Sequence, residues 1–325
     1  MIFVLIFLAL IFDFTNGFHD SSNIVATPIA SGALPPRVAL YLAAAAHFAG
    51  PFLFGVAVAT TIGEGLLNDM AITITVVVAA LASAVAWNII TWYIGLPSSS
   101  SHALVGGLLG SAILYAGVDV VQLTGLVKIL LALLISPILG LIGGFLLMKM
   151  TMFASREATP AVNTLFRRLQ ILTLGGLALS HGTNDAQKTM GVIAMGLLAG
   201  GYITSFFVPT WVILISALAI AFGTSFGGWR LIRTLGGKIY RIRPVHGFAS
   251  QIAGAAVILS AALVGGPVST TQVMSTAIIG VGAAQRINMV RWSILQELLV
   301  AWVLTIPSTA ALSAALFFVL SRLGY

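Results

Sequence analysis

The sequence predicts an all-α polytopic membrane protein of about 10–12 transmembrane helices, in two inverted-topology repeats with interrupted helices at the midplane. Three observations carry this. Charged residues make up 7% of the 325 residues and apolar residues 59%, with a mean hydropathy of +1.09, whereas a soluble domain carries roughly 25% charged residues. The apolar residues fall into ten blocks, most near the roughly 20 residues that span a hydrocarbon core. Finally, polar motifs set in those blocks recur in the two halves of the chain. So few charges could not keep a globule of this size in water, which excludes a soluble enzyme, a nucleic-acid binder and a disordered regulator. The net charge of +7 sits in short gaps between apolar runs rather than on a soluble face, a mark of membrane topology. Cysteine is absent, so disulfides and thiolate sites are excluded. Met1-Ile2-Phe3 has no basic n-region, so the first apolar run is expected to remain in the mature chain.

The blocks are Met1–Leu34, Val38–Thr60, Ala71–Ile94, Pro97–Val118 and Thr124–Met148, then Leu169–Ala199, Val208–Gly227, His246–Gly265, Pro267–Ala284 and Ile294–Leu320. They lack the period-two alternation of barrel strands, and helices satisfy their own backbone in lipid. The first block as one helix would reach about 51 Å, against a core of roughly 30 Å. Its centre, Asp13 to Asn23, is polar, as is Ser180 to Thr189 in the sixth block. Each is therefore expected to be two half-helices around an unwound centre. The two centres align 165 residues apart, Gly17 with Gly182 and Asp20 with Asp185. A second pair of stretches aligns 170 residues apart, Gly95 with Gly265, Pro97 with Pro267 and Gly110 with Gly280. The chain reads as a duplication: residues 1–150 form the first repeat, 151–168 a cytoplasmic linker and 169–325 the second. Matching interrupted helices in two halves point to a secondary-transporter binding site.

With each block crossing once and the N-terminus outside, Arg37, Lys149, Arg156, Arg167, Arg168, Arg230, Arg233, Lys238, Arg241, Arg243, Arg286 and Arg291 face the cytoplasm. Glu64, Asp69 and Asp119 face the other side, Lys128 and Arg322 being exceptions. This is the positive-inside bias, and it puts both termini outside the cytoplasm. An odd number of crossings per half inverts the second half. If the serine-rich stretches are tips of re-entrant hairpins, the crossing count changes and the symmetry survives.

A carboxylate at mid-membrane costs at least about 2.5–3.5 kcal/mol, so Asp20 and Asp185, at equivalent repeat positions, read as ligands for a hard cation such as sodium or as proton acceptors. Helix capping is the bland alternative, but uncharged Ser or Asn would serve for that. Asn16, Asn23 and Asn184 offer neutral oxygens beside them, or backbone repair. Ser99, Ser100 and Ser101, like Ser269, Thr270 and Thr271, follow a proline and precede an apolar helix. Two such helix starts brought together would cradle a tetrahedral oxyanion with free N–H groups and hydroxyls; capping and close helix packing are the alternative. Lys188 can pair with a carboxylate, bind the anion, or snorkel to an interface. His19, His102 and His181 can relay protons or act as neutral hydrogen-bonding groups. His47 and His246 read as structural, Asp13 as interfacial, Glu297 as paired or interfacial, and the tryptophans as interfacial anchors or packing.

The stretches Phe12–Thr27 and Leu179–Gly191, with Pro97–His102 and Pro267–Gln272, resemble the inorganic phosphate transporter (PiT) family over nearly the whole chain. One departure is Gln272, where many bacterial members are expected to carry histidine. The resemblance implies symport of inorganic phosphate with sodium, or with protons, in the plasma (inner) membrane, with no enzyme activity and no cofactor beyond the co-transported ion. It assigns Asp20 and Asp185 as essential acids, Asn23 and Asn184 as their neighbours, and the two Ser/Thr runs as phosphate donors. The rivals are a transporter of metal–phosphate or of another oxyanion such as sulfate, a channel, and an intramembrane hydrolase using Ser101 with His102 or His181 with Asp185. The sequence leaves a homodimer open.

Overall fold

The computed structural model describes residues 1–237 and 239–324; Lys238, and the side chain of Asp69, lie outside the described residues. Among the described residues, twelve α-helices run in the same order twice. In the first half they are α1 (Ile2–Ala30), α2 (Pro36–Leu53), α3 (Ala57–Gly65), α4 (Ile74–Ile94), α5 (Ser100–Ala116) and α6 (Leu123–Ala154). In the second they are α7 (Val162–Ala199), α8 (Thr210–Phe226), α9 (Trp229–Gly237), α10 (Pro244–Leu263), α11 (Thr270–Gln285) and α12 (Trp292–Arg322). Five are long and apolar enough to cross a membrane, or seven when α2–α3 and α8–α9, bent by 71° and 69°, each count as one span.

The polytopic all-helical class is as expected, but the unwound centres are not there. α1 and α7 are continuous helices of 29 and 38 residues. Two physical effects keep them whole. Thr15, Ser21 and Ser22 in α1, and Ser180 and Thr183 in α7, turn their hydroxyls back onto carbonyls three or four residues earlier, which satisfies them without opening the backbone. The polar centres are also buried against protein instead of facing lipid. Length is not a problem: the first turns of α7 carry exposed Arg167 and Arg168 and belong outside the apolar layer.

The breaks lie elsewhere. Gly95, at φ 79°, ends α4 by donating to the Thr91 and Trp92 carbonyls, and Pro97 prevents the helix from resuming at once. Gly265, at φ 72°, and Pro267 repeat the device after α10. α4–α5 and α10–α11 are therefore hairpins, the alternative that the sequence left open beside a single crossing by each block. The base of the first is closed by Asn68 N donating to Val120 O at 2.9 Å and Gln122 N to Leu66 O at 3.0 Å. The base of the second is closed by His246 Nε2 with Gln285 Oε1 at 2.7 Å. The first base shares an apolar cluster with Ile2 and Leu5 at the start of α1. The second is clustered with Ala26, near the end of α1. The hairpins thus enter from opposite ends of α1, and their tips meet beside its middle. α1, α2, α7 and α8 pack on one another, while α5 lies on α12 and α11 on α6.

Candidate functional site

The tips of both hairpins meet the polar centres of α1 and α7. Ser99 caps α5 by accepting from His102 N at 3.2 Å, and Ser269 caps α11 by accepting from Gln272 N at 3.3 Å. The amides of Ser100, Ser101, Thr270 and Thr271 lie in the first turns and have no acceptor among the described residues, as geometry requires at a helix start. The tips touch each other: Ser101 Oγ donates to Val268 O at 2.9 Å, and His102 Nε2 lies 3.4 Å from Gln272 Nε2.

Thr271 Oγ1 donates to Asp20 Oδ1 at 2.9 Å and accepts from Asn23 Nδ2 at 3.0 Å. Thr270 Oγ1 lies 3.0 Å from Asp185 Oδ2 and 3.4 Å from Asp20 Oδ2; its single proton can serve one of them at a time. His19 Nδ1 lies 2.8 Å from Asp20 Oδ1. His181 Nε2 stands 3.2 Å from Asp185 Oδ2 and 3.9 Å from Asp20 Oδ2. The ammonium of Lys188 is buried. It pairs with Asp185 one turn earlier and donates to Ser101 Oγ at 2.6 Å and Val268 O at 2.9 Å.

One ligand atom from each of Asp20, His181 and Asp185 lies within 4.8 Å of the others, a span one small cation can bridge. Two carboxylates at that separation repel by on the order of 3–4 kcal/mol at an effective dielectric of 20. With neutral imidazoles, two carboxylates and one ammonium leave the site at −1, beside four unpaired helix-start amides. Such a constellation can hold an oxyanion and a cation together. Residues 16–313 match the model of the phosphate transporter family. The chain belongs to that family. It is 44% identical over 324 residues to the probable low-affinity inorganic phosphate transporter of Bacillus subtilis (strain 168), covering 98% of this chain and 97% of the relative. Identity to the protein of the same description in Rhizobium meliloti (strain 1021) is 44% over 316 residues, covering 97% and 95%. A solved structure described as the sodium-dependent phosphate transporter superposes with a TM-score of 0.89, at 25% identity and 99% coverage of each chain. The chain is therefore an integral membrane protein of a transporter family, and the hydrolase reading drops out.

Within the transporter the expected site residues converge unevenly. Asp20, Asn23, Asp185, Lys188, Ser101, Thr270 and Thr271 form one hydrogen-bonded cluster. Asn184 sits at its edge, donating to Gly266 O at 3.1 Å. Ser99 and Ser269 spend their hydroxyls as caps. Asn16 and Asp13, the latter expected near an interface, are both buried, and their side-chain atoms make no hydrogen bond among the described residues. His47, read as structural, bonds Thr224 Oγ1 at 2.7 Å and stacks on His181 at 4.8 Å, so it steadies a site residue.

Sequence reasoning missed Gln187 and Ser21. Gln187 Oε1 accepts from Val58 N at 2.8 Å, holding the start of α3, and Ser21 Oγ accepts from Gly228 N at 2.9 Å just before α9. Both were inside the polar motifs, but their partners are more than a hundred residues away, and no local pattern signals such a cap.

Proposed function

We propose that this chain is a secondary active symporter that imports inorganic phosphate with sodium by alternating access. It lies in the plasma membrane with both termini outside, as two inverted repeats. The reading is carried by one observation: hairpins entering from opposite ends bring their tips together beside α1 and α7, where Thr270 and Thr271 of the α11 tip lie on Asp20 and Asp185 and Ser101 of the α5 tip lies on Lys188. Phosphate would sit against the starts of α5 and α11, receiving N–H groups from Ser100, Ser101, Thr270 and Thr271, with the Lys188 ammonium beside it. Asp20 and Asp185 would hold the cation, with Asn23 and Asn184 at hand. Burying phosphate alone at mid-membrane would be prohibitive, so anion and cation raise each other's affinity, and the coupling is reciprocal. The carboxylates also suit an anion that still carries a proton, as phosphate does and sulfate does not. The Asp20 contacts to His19 and His181 favour a proton-coupled variant as the second reading.

Phosphate uptake into proteoliposomes, with sodium and proton gradients imposed separately at one pH, tests this. Uptake driven by the sodium gradient supports the proposal. Uptake driven only by the proton gradient moves the coupling to protons. Equal uptake of sulfate, or a strict need for divalent metal, overturns free phosphate as the cargo.

A further inference from the structure

We infer that Lys188 is a built-in counter-cation that fills one of two symmetry-related cation positions, so that the protein loads one mobile cation, at the Asp20 half of the site, with each phosphate. This rests on the proposed cation-coupled transport of phosphate and narrows its cation site to Asp20 and Asn23, Asp185 being paired with Lys188.

The two halves of the chain stand in register. The spacing that pairs Asp20 with Asp185 also pairs Asn23 with Lys188, and the spacing that pairs Pro97 with Pro267 pairs Ser101 with Thr271. Contacts in the folded chain respect both pairings. On one side, Thr271 of the α11 tip donates to Asp20 and accepts from Asn23. On the other, Ser101 of the α5 tip accepts from Lys188, which is paired with Asp185. The same triangle of acid, residue one turn later and hairpin hydroxyl is built twice, with a neutral amide at one corner and an ammonium at the other.

The chemistry of the two corners differs accordingly. An ammonium has three N–H donors, and Lys188 directs them at three oxygens: the Asp185 carboxylate, Ser101 Oγ and Val268 O. An oxygen cage of this kind is what a monovalent cation would use. The lysine is buried, as are all its partners, so it is not snorkelling. Asn23, by contrast, uses only its amide nitrogen. Among the described residues its buried Oδ1 accepts nothing, and it stands beside a carboxylate that no lysine or arginine contacts. Leaving such an oxygen unpaired costs about 1–3 kcal/mol, a cost that a mobile cation lying between Asn23 Oδ1 and Asp20 would remove. His19, which stands where Asn184 stands in the other half, contacts Asp20 Oδ1 through Nδ1 and leaves the Asn23 oxygen untouched. One half of the site thus carries its positive charge on the chain, and the other takes it from solution.

The test counts ions. In proteoliposomes, parallel uptake of radioactive sodium and radioactive phosphate should give one sodium per phosphate for the native chain, and the same for Lys188→Arg. Lys188→Asn restores the symmetric pair and should raise the ratio to two, with a sodium dependence that becomes sigmoidal. Two sodium ions per phosphate in the native protein, or a transporting Lys188→Asn with its ratio unchanged, would overturn the inference. Should Lys188→Asn fail to fold, sodium bound to the phosphate-loaded native protein by equilibrium dialysis decides: one per chain supports it, two sinks it. If native uptake ignores sodium, the coupling-ion reading has failed by itself. Protons moved per phosphate then take the place of sodium, with the same rise expected in Lys188→Asn and an unchanged ratio refuting the built-in cation.

Discussion

The helices that carry the two acids are held by backbone contact at glycine, and this makes one substitution informative at three positions. A Cβ on Gly17 would lie 2.2 Å from Ile220 O of α8, and one on Gly182 would lie 2.6 Å from His47 O of α2. A Cβ on Gly175, in the same helix as Gly182, meets nothing within 4 Å. Ordinary contact begins near 3.4 Å, so Gly17→Ala must push α1 and α8 apart by about 1.2 Å and Gly182→Ala must part α7 and α2 by about 0.8 Å. Overpacking of this kind costs about 1–3 kcal/mol. Asp20 lies one turn after Gly17. Moving it that far stretches its 2.9 Å bond from Thr271 to about 4 Å, beyond hydrogen-bond range. Losing a hydrogen bond to a charged group is worth about 1.5–3 kcal/mol, or about ten- to a hundredfold in apparent affinity. The expected order of melting temperature at one fixed scan rate is Gly175→Ala at or above native, then Gly182→Ala, then Gly17→Ala. The half-saturating phosphate concentration should rise in the last. Native melting and native affinity in Gly17→Ala would show that the close crossing does not position Asp20.

Two further substitutions probe the cluster itself. Asp20→Asn and Asp185→Asn should each abolish phosphate uptake, but only Asp185→Asn strands a buried ammonium, which costs about 3–5 kcal/mol; a lowered melting temperature in both, or in neither, contradicts this. Thr271→Val keeps the shape of the α11 tip and removes the hydroxyl shared by Asp20 and Asn23. It should raise the half-saturating concentrations of sodium and phosphate together, and a change in phosphate alone would detach that hydroxyl from the cation.

Much of this architecture was legible because membrane burial makes polar residues conspicuous. Gly95-Leu96-Pro97 and Gly265-Gly266-Pro267 could be read as helix breaks, since a left-handed cap followed by proline stops a helix through local geometry. The serine and threonine caps followed from the same rule. The centres of α1 and α7 misled for a related reason. Asp20, Ser21 and Ser22 look like breakers when taken one at a time, yet in a protein-lined setting Ser21 and Ser22 bond back to Phe18 O and His19 O and the helix continues. The short helix α3 was not separable from the block before it, because its bend follows Gly55 in a run that stays apolar, and α9, past the end of its block and carrying Arg230 and Arg233, gave no apolar signal. The caps that hold them, Gln187 and Ser21, come from the opposite half. Lys188 had three open readings, and only the positions of Asp185, Ser101 and Val268 reduce them to one set of partners.

The packing of the hairpins constrains how access can alternate under the proposed function. Glycines lock α5 against α12, where a Cβ on Gly106 or Gly110 would meet the backbone of Ile306 or Ala310, and α11 against α6, where Gly140 and Gly144 approach Val273 and Ala277 in the same way. Each hairpin tip is thereby fixed to the long closing helix of the other half. It cannot move without carrying that helix along. α1 and α7 are unbroken and are clamped to α8 and α2 by the crossings at Gly17 and Gly182, so the acids belong to a second unit. Away from the site the units also meet through apolar packing of α10 on α7 and α4 on α1; at the site they meet through polar contacts: Thr270 and Thr271 to the carboxylates, Asn23 to Thr271, Lys188 to Ser101 and Val268, and Asn184 to Gly266. These polar bonds involve the same hydroxyls and acids that would hold the cargo. Binding of phosphate and cation therefore bears directly on the contacts that restrain one unit against the other, which is the physical requirement for coupling transport to occupancy.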